Sequence, residues 1–370
     1  MVIFVGVLGC TGMVGQRFLQ LLERHPVFRV VALGASDRSA GKPYEEAVRW
    51  TQATPIPVAV RKMTVRLCDP SEEDFRRCSL VFSGLASTVA GPVEEAFAAA
   101  GIAVFSNAKN HRMDEDVPIL LPQVNPEHIE VVPYQQQRRS WQGGFIVTNA
   151  NCSTTGLATV LKPIDEAFGV KKCFVTTLQA ISGAGYNGVS GMEILDNVIP
   201  FISSEEDKLK TEPLKILGKL SIGDADGGGA AVGQTRFVST DLKVSAHCNR
   251  VAVVDGHTEC VSLKLKKKAT PEEVVAVLQN YVHPWQGLLL SAPKQPIQVF
   301  TQQVNRPQPK LDRDLGGGYT VSVGRVRECS LFDIKLVLLS HNTILGAAGG
   351  SILNAELALA KGYLPSPQSK

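Results

Sequence analysis

Val2-Ile3-Phe4-Val5-Gly6-Val7-Leu8-Gly9-Cys10-Thr11-Gly12-Met13-Val14-Gly15 is the stretch that decides the fold. A short apolar run ends in a glycine-rich turn, and an amphipathic pattern follows with Val14, Phe18, Leu21 and Leu22 at helical spacing. Strand, glycine turn, helix is the order a dinucleotide fold needs. Glycines let the main chain approach a pyrophosphate, and the helix N-terminus beneath supplies N–H donors. The spacing Gly9-x-x-Gly12-x-x-Gly15 departs from GxGxxG and is a weak signal alone. A second apolar run at Phe28 to Gly34 strengthens it.

That second run leads into Ser36-Asp37-Arg38-Ser39-Ala40-Gly41-Lys42, where a dinucleotide fold reads the adenosine ribose. An acid there favours a free 2′-hydroxyl, whereas Arg38 and Ser39 can hold a 2′-phosphate. The reading is NADP over NAD, with Asp37 as a contrary acid and a merely solvated turn as the alternative. Leu80 to Leu85 reads as a strand, Val89 to Ala100 as a helix, and Ile102 to Phe105 and Phe145 to Asn149 as further strands. Such alternation predicts a largely parallel sheet with helices on both faces.

Beyond residue 152 the texture changes. Lys171 to Ile181, Leu242 to Val254, Thr258 to Lys266, Tyr319 to Val326 and Leu331 to Leu339 read as longer alternating strands, which predicts a mixed, largely antiparallel sheet. The expected organisation is a Rossmann-type dinucleotide-binding domain over 1–151 and an α+β catalytic and dimerisation domain over 152–340. A helical segment over 341–370, rich in small residues, is expected to pack back on the first domain. Ser221 to Gly233 reads as a loop, and Gln135 to Gly144 as a polar surface insertion.

Cys152 stands where the strand ending near Asn149 gives way to a helix. A thiol at a helix N-terminus faces unpaired N–H groups that favour thiolate, so Cys152 is a candidate nucleophile. The alternative is a buried, inert cysteine, which must hold for most of the eight cysteines. None forms a CxxC pair, so neither zinc nor a disulfide framework is expected. His257, in Asp255-Gly256-His257-Thr258-Glu259, is the best-placed histidine: a neutral imidazole can take a thiol proton and later serve as an acid. Nothing local ties it to Cys152, and by spacing alone a satisfied surface histidine is the stronger reading. Arg250 can clamp a carboxylate in a bidentate way. The 370 residues, 44% hydrophobic and 20% charged, suit a globular protein of two or more domains. A net charge of +3 is too small to argue for nucleic acid. No apolar run reaches the roughly 18 residues of a membrane span, and a cytoplasmic protein is expected.

Taken together these motifs resemble the aspartate-semialdehyde dehydrogenase family, in the branch found in archaea and fungi. The resemblance rests on Gly9-x-Thr11-Gly12-x-x-Gly15, Ser36-x-Arg38-Ser39-Ala40-Gly41-Lys42, Ser106-Asn107-Ala108-x-Asn110-His111-Arg112-Met113 and Asn149-x-Asn151-Cys152-Ser153-Thr154. It continues through Gln179-Ala180-x-Ser182-Gly183-Ala184-Gly185, Asn249-Arg250-Val251, Gly256-His257-Thr258-Glu259 and Ser340-His341-Asn342-Thr343.

The resemblance implies reduction of L-4-aspartyl phosphate by NADPH to aspartate 4-semialdehyde, through a thioester on Cys152, on the way to lysine, methionine and threonine. It implies proton transfer by His257, orientation by Gln179, carboxylate binding by Arg250 and an amino-group partner in Glu212. Phosphate falls to Arg112, Asn110 and Lys215. The cofactor falls to Gly9, Thr11, Gly12, Met13, Val14, Gly15, Ser36, Arg38, Ser39, Ser182, Gly183, Asn342 and Thr343, with no metal. A homodimer or homotetramer acting on small molecules is expected, with no nucleic acid and no membrane. Pro213, directly after Glu212, departs from the family pattern; a helix starting earlier would displace Lys215. Malonyl-CoA reductase, N-acetyl-glutamyl-phosphate reductase and a catalytically inactive cofactor-binding scaffold are the rival readings.

Overall fold

A computed structural model describes residues 2–185, 188–221 and 235–365 of the chain. The loop expected over Ser221 to Gly233 lies, apart from Ser221, outside the described residues.

The first sheet holds β1 (Ile3–Leu8), β2 (Phe28–Ala35), β3 (Val65–Leu67), β4 (Leu80–Ser83), β5 (Ala103–Ser106) and β6 (Ile146–Thr148) in the order β3-β2-β1-β4-β5-β6. Every neighbouring pair is parallel. β4, β5 and β6 are buried along their whole length, as strands covered on both faces must be. The longer helices are α1 (Met13–Leu22), α2 (Ser87–Ala99), α3 (Val132–Arg139), α4 (Cys152–Phe168), α5 (Glu205–Ile216), α6 (Pro271–Gln279) and α7 (Gly349–Ala360). Strand order reverses between β1 and β4, and a crevice opens beyond the carboxyl ends of those strands.

The second sheet is built from β7 (Val170–Gln179), β10 (Lys243–Arg250), β11 (His257–Leu265), β12 (Ile297–Phe300), β13 (Val321–Glu328) and β14 (Ile334–Ser340). Between β7 and β10 lie β8 (Lys219–Ser221) and β9 (Arg236–Val238), which pair with each other. The order is β10-β7-β11-β14-β13-β12, parallel at both edges and antiparallel at the three pairs between them. One face buries Val175, Thr177, Gln179, His257, Glu259 and Val261 toward α4. The opposite face leaves Phe174, Leu178 and Thr258 half-buried and Cys260 exposed. This alternation is the period-2 pattern read in the sequence.

Two expectations change. The polar stretch from Gln135 is a surface segment only in part: Gln137, Arg138, Ser140, Gln142 and Gly143 are exposed, but Gln135 lies in α3 and is fully buried. Its amide donates to the carbonyls of Asp116 and Ile146 and accepts from Ile146 N–H, so it pairs with main chain around the edge strand β6. The final segment begins as a wide turn over Ile344–Ala348 before α7. Its small residues are required, since a Cβ on Gly346 would lie 2.8 Å from that of Cys152. α7 lies against the first sheet's half, with Asn107 donating to Ser351 at 3.1 Å and His25 meeting Glu356 at 2.9 Å.

Candidate active site

Strand β6 delivers the chain to Asn151, whose non-helical backbone makes it the N-cap of α4. Its side-chain oxygen accepts from Ser153 N–H at 3.0 Å and Thr154 N–H at 3.2 Å, as an N-cap asparagine should. Cys152 is therefore the first helical residue, at the junction of the two sheets. His257, the first residue of β11, is fully buried, with Nε2 3.2 Å from Cys152 Sγ. The surface-histidine reading fails because β11 turns this residue toward α4. Ala180 N–H donates to His257 Nδ1 at 3.0 Å, which fixes the ring from behind.

Burial pushes the Cys152 thiol up to about 12; Glu205 adds to this, while Lys208, Arg250 and Arg112 pull the other way. Burial, then the charge of Arg250, pushes His257 down to about 3. Desolvation thus opposes the thiolate that the helix N-terminus favours, and it opposes the imidazolium as well.

A cavity of about 280 Å³ adjoins the pair. Met13 and Val14 line it from the glycine turn, with Ser182, Gly183, Asn342 and Thr343 from the second half of the chain. Lys109, Arg112, Glu205 and Lys208 supply its charge. Asn342 links the two flanks, donating to Ser182 Oγ at 2.8 Å and accepting from Gly256 N–H at 2.8 Å. Arg250, the last residue of β10, donates to Ala180 O at 2.7 Å; Gln179, the last of β7, donates to Glu205 Oε2 at 3.2 Å.

Three expected substrate residues stand elsewhere. Glu212 is buried, with one oxygen accepting from Arg112 Nη1 at 2.8 Å and the other from Asn151 N–H at 2.7 Å. Lys215 spends its three donors on the carbonyls of Arg112, Asp114 and Val117. Asn110 is exposed and donates to Ser87 O. The acid and base facing the cavity are Glu205 and Lys208, joined at 2.5 Å. They repeat the Glu-x-x-Lys spacing seven residues earlier, two turns or roughly 11 Å along the same helix face. Pro213 was the available signal: α5 starts at Glu205 and carries this proline in its interior, which moves Glu212 and Lys215 away from Cys152. Burial opposes the Glu205 charge, but Lys208, Asn151 and Gln179 outweigh it and hold its carboxyl below the usual range.

The glycine turn fits a dinucleotide. Gly9 sits at φ +73°, and a Cβ there would lie 2.8 Å from Gly84 O across the crevice. A Cβ on Gly15 would lie 2.1 Å from Gly9 O, so α1 packs directly on the turn. Gly12 caps α1 with no side chain over its N-terminal N–H groups. At the end of β2, Ser36 and Arg38 are exposed, and Asp37 turns its carboxylate to Arg38 N–H at 2.9 Å. The contrary acid is thereby occupied locally, and among the described residues Arg38 makes no ion pair.

A half-buried thiol against a buried imidazole, facing a dinucleotide-binding turn, defines a cysteine-dependent dehydrogenase. Residues 4–132 match the family description "Semialdehyde dehydrogenase, NAD binding domain", and residues 161–345 match "Semialdehyde dehydrogenase, dimerisation domain". The chain is 50% identical to an aspartate-semialdehyde dehydrogenase of Schizosaccharomyces pombe, over 97% of this chain and 99% of that protein. A Methanothermobacter thermautotrophicus enzyme of the same name is 48% identical, over 95% and 98%. The crystal structure of aspartate semialdehyde dehydrogenase with NADP from Candida albicans superposes with a TM-score of 0.87, at 50% identity over 98% of this chain and 100% of that one. The chain belongs to the aspartate-semialdehyde dehydrogenase family, in the branch shared by fungi and archaea.

Proposed function

We propose that the chain carries out NADPH-dependent reductive dephosphorylation of L-4-aspartyl phosphate to L-aspartate 4-semialdehyde, in lysine, methionine and threonine biosynthesis. The observation that carries this reading is the 3.2 Å approach of Cys152 Sγ to His257 Nε2 beside a cavity shared with the glycine turn. Cys152 attacks the acyl phosphate, phosphate leaves, and a thioester remains on sulfur. Bound NADPH supplies hydride to that thioester. Collapse of the hemithioacetal releases the aldehyde, with His257 beside sulfur throughout.

The cavity's charges suit this substrate. Arg112, whose buried Nε has no hydrogen-bond partner among the described residues, and Lys208 supply donors for a phosphate dianion. Arg250 holds the α-carboxylate, Glu205 the amino group, and Gln179 orients the reacting carbonyl by way of Glu205. The acid at Glu205 favours an amino substrate over the malonyl thioester of malonyl-CoA reductase. Gly9, Thr11, Gly12 and Gly15 hold the pyrophosphate, Ser36, Arg38 and Ser39 the 2′-phosphate, and Ser182, Gly183, Asn342 and Thr343 the nicotinamide side.

The cofactor half is assigned to 1–151, the catalytic and dimerisation half to 152–340, and the segment from 341 to packing back on the cofactor half. We assign a homodimer or homotetramer built on the uncovered face of the second sheet around Phe174, Leu178 and Cys260, a surface that a second copy would bury. A cytoplasmic setting agrees with eight free cysteines. No described helix is long and apolar enough to cross a membrane.

The test is the reverse reaction: NADPH formation from aspartate semialdehyde should require phosphate. Cys152→Ala should abolish it while NADP still binds, and turnover retained in that variant would sink the covalent route.

A further inference from the structure

Arg17 ties the two halves of the molecule together just behind the cavity. It lies on α1, three and four residues beyond Val14 and Met13, so the three share one face of that helix. Met13 and Val14 line the cavity, as does Thr343 from the other half of the chain. Arg17 Nε donates to Thr343 Oγ1 at 3.2 Å, and Nη2 stands 3.6 Å from Asp255 Oδ2. Nη1 donates to Gln20 Oε1 at 2.7 Å, and Gln20 in turn donates to Thr54 at 2.9 Å, so the guanidinium plane is held from three sides. Asp255 stands two residues before His257, and Gly256 N–H between them donates to Asn342, the neighbour of Thr343, at 2.8 Å. One planar cation therefore spans the turn that leads into β11 and the segment that follows β14. Asp255 Oδ1 is buried with no hydrogen-bond partner among the described residues, and Arg313 reaches only the main-chain carbonyl of Asp255, at 3.3 Å. Among those residues Arg17 is the cation that pairs with this carboxylate.

We propose that Arg17 is a positioning residue for hydride transfer, which sets the cofactor side of the cavity against the 255–257 turn and Thr343 and touches neither substrate nor nicotinamide. The inference rests on the reaction proposed above. In that reaction the partners of the hydride step are carried by different halves: the glycine turn at the head of α1 holds the cofactor, whereas α4 and β11 present Cys152 and His257. Their alignment is therefore a property of the contacts that join the halves. A misplacement of about 1 Å costs about 100-fold in rate, even when its origin lies away from the reacting atoms. Arg17 controls such a displacement because its partners flank the wall on which the acyl group is reduced. Without it the halves still meet, since α1 also packs its apolar residues against the wide turn over Ile344–Ala348. The fold persists and the alignment is lost.

The test is Arg17→Leu in the full chain, with Arg17→Lys and Asp255→Asn beside it. Turnover is followed in the reverse reaction, using aspartate semialdehyde with hydrogen or deuterium on its aldehyde carbon, the atom that gives up hydride. Titration calorimetry counts NADP sites and measures their affinity, so that kcat is expressed per competent site and a loss of folded enzyme does not register. For Arg17→Leu, kcat per site should fall ~10- to 100-fold with a deuterium isotope effect no smaller than the parent's. The Kd for NADP should change less than ~3-fold. Arg17→Lys, which keeps the charge but not the fork, should recover part of the rate. Asp255→Asn should lower kcat with the same isotope signature, which keeps the inference open to refutation where Arg17→Leu does not fold. Without cofactor or substrate, amide exchange read by mass spectrometry should quicken over 254–257 and 342–346 and stay unchanged over Ile297–Phe300 in β12. Unchanged kcat per site, a smaller isotope effect, a larger loss of NADP affinity or unchanged exchange over those two segments overturns the proposal. The reaction is judged separately by the parent: NADPH formed without phosphate sinks that reading, whereas an intact phosphate requirement beside unaltered variants sinks the role of Arg17 alone.

Discussion

Lys215 donates to three main-chain carbonyls from a buried position, whereas Lys208 reaches the cavity through Glu205. Removing Lys215 orphans the carbonyls of Arg112 and Val117, each worth about 1–3 kcal/mol when left unpaired, whereas Asp114 O keeps Val117 N–H. Lys215→Met should therefore lose roughly 2 kcal/mol or more of unfolding free energy in denaturant melts. Lys208→Ala should destabilise less, because Glu205 keeps Asn151 and Gln179 as donors, and should raise the KM for phosphate in the reverse reaction. Equal destabilisation by the two would undo the division between them. Arg250 shows the same dependence on neighbours: its type suggests a carboxylate clamp, but its hydrogen bond to Ala180 O sets where it stands.

The turn between β1 and α1 tolerates no side chain at Gly15, because the intruding atom would meet backbone, Gly9 O at 2.1 Å and Cys10 Cα at 2.7 Å. Gly15→Ala must push α1 off the turn, and overpacking of this kind costs about 1–3 kcal/mol. NADP affinity, measured by titration calorimetry, should fall at least ~10-fold; unchanged affinity would remove the pyrophosphate from this turn. At the end of β2, Arg38→Ala should lower kcat/KM for NADP by ~10- to 100-fold while leaving NAD alone, the size of one charge-assisted hydrogen bond. A parent enzyme that used the two cofactors equally would refute the 2′-phosphate reading. The exposed Arg38 and the locally occupied Asp37 make these elements readable from sequence, since both effects arise within a few residues.

At the scale of the molecule, His128, His257, His283 and His341 are all buried in its interior. Burial pushes His128, His283 and His341 down to about 4, and His257 to about 3. In the unfolded chain each titrates near 6.5. Below that value the unfolded state binds more protons, so the contribution is fully present above about pH 6.5 and lost as pH falls toward the folded values. Each histidine should cost ~1.4 kcal/mol of stability per pH unit in that window. The denaturant midpoint should fall between pH 7 and pH 5.5, and a flat profile there would mean that these rings already titrate in the fold.

The parallel sheet, its glycine turn, the strand-to-helix junction at Cys152 and the alternating strands of the second sheet were legible in the sequence. Each depends on period, turn chemistry or capping acting over a few neighbouring residues. The motif resemblance carried the reaction. What spacing could not supply was the meeting of residues 105 positions apart, Cys152 and His257, nor the desolvation that opposes charge on each. Nor could it choose between two Glu-x-x-Lys pairs on one helix. That choice fell to where α5 begins and which of its two pairs lines the cavity beside Cys152. Desolvation and hydrogen-bond direction are properties of the packed interior, and only the tertiary structure decides them.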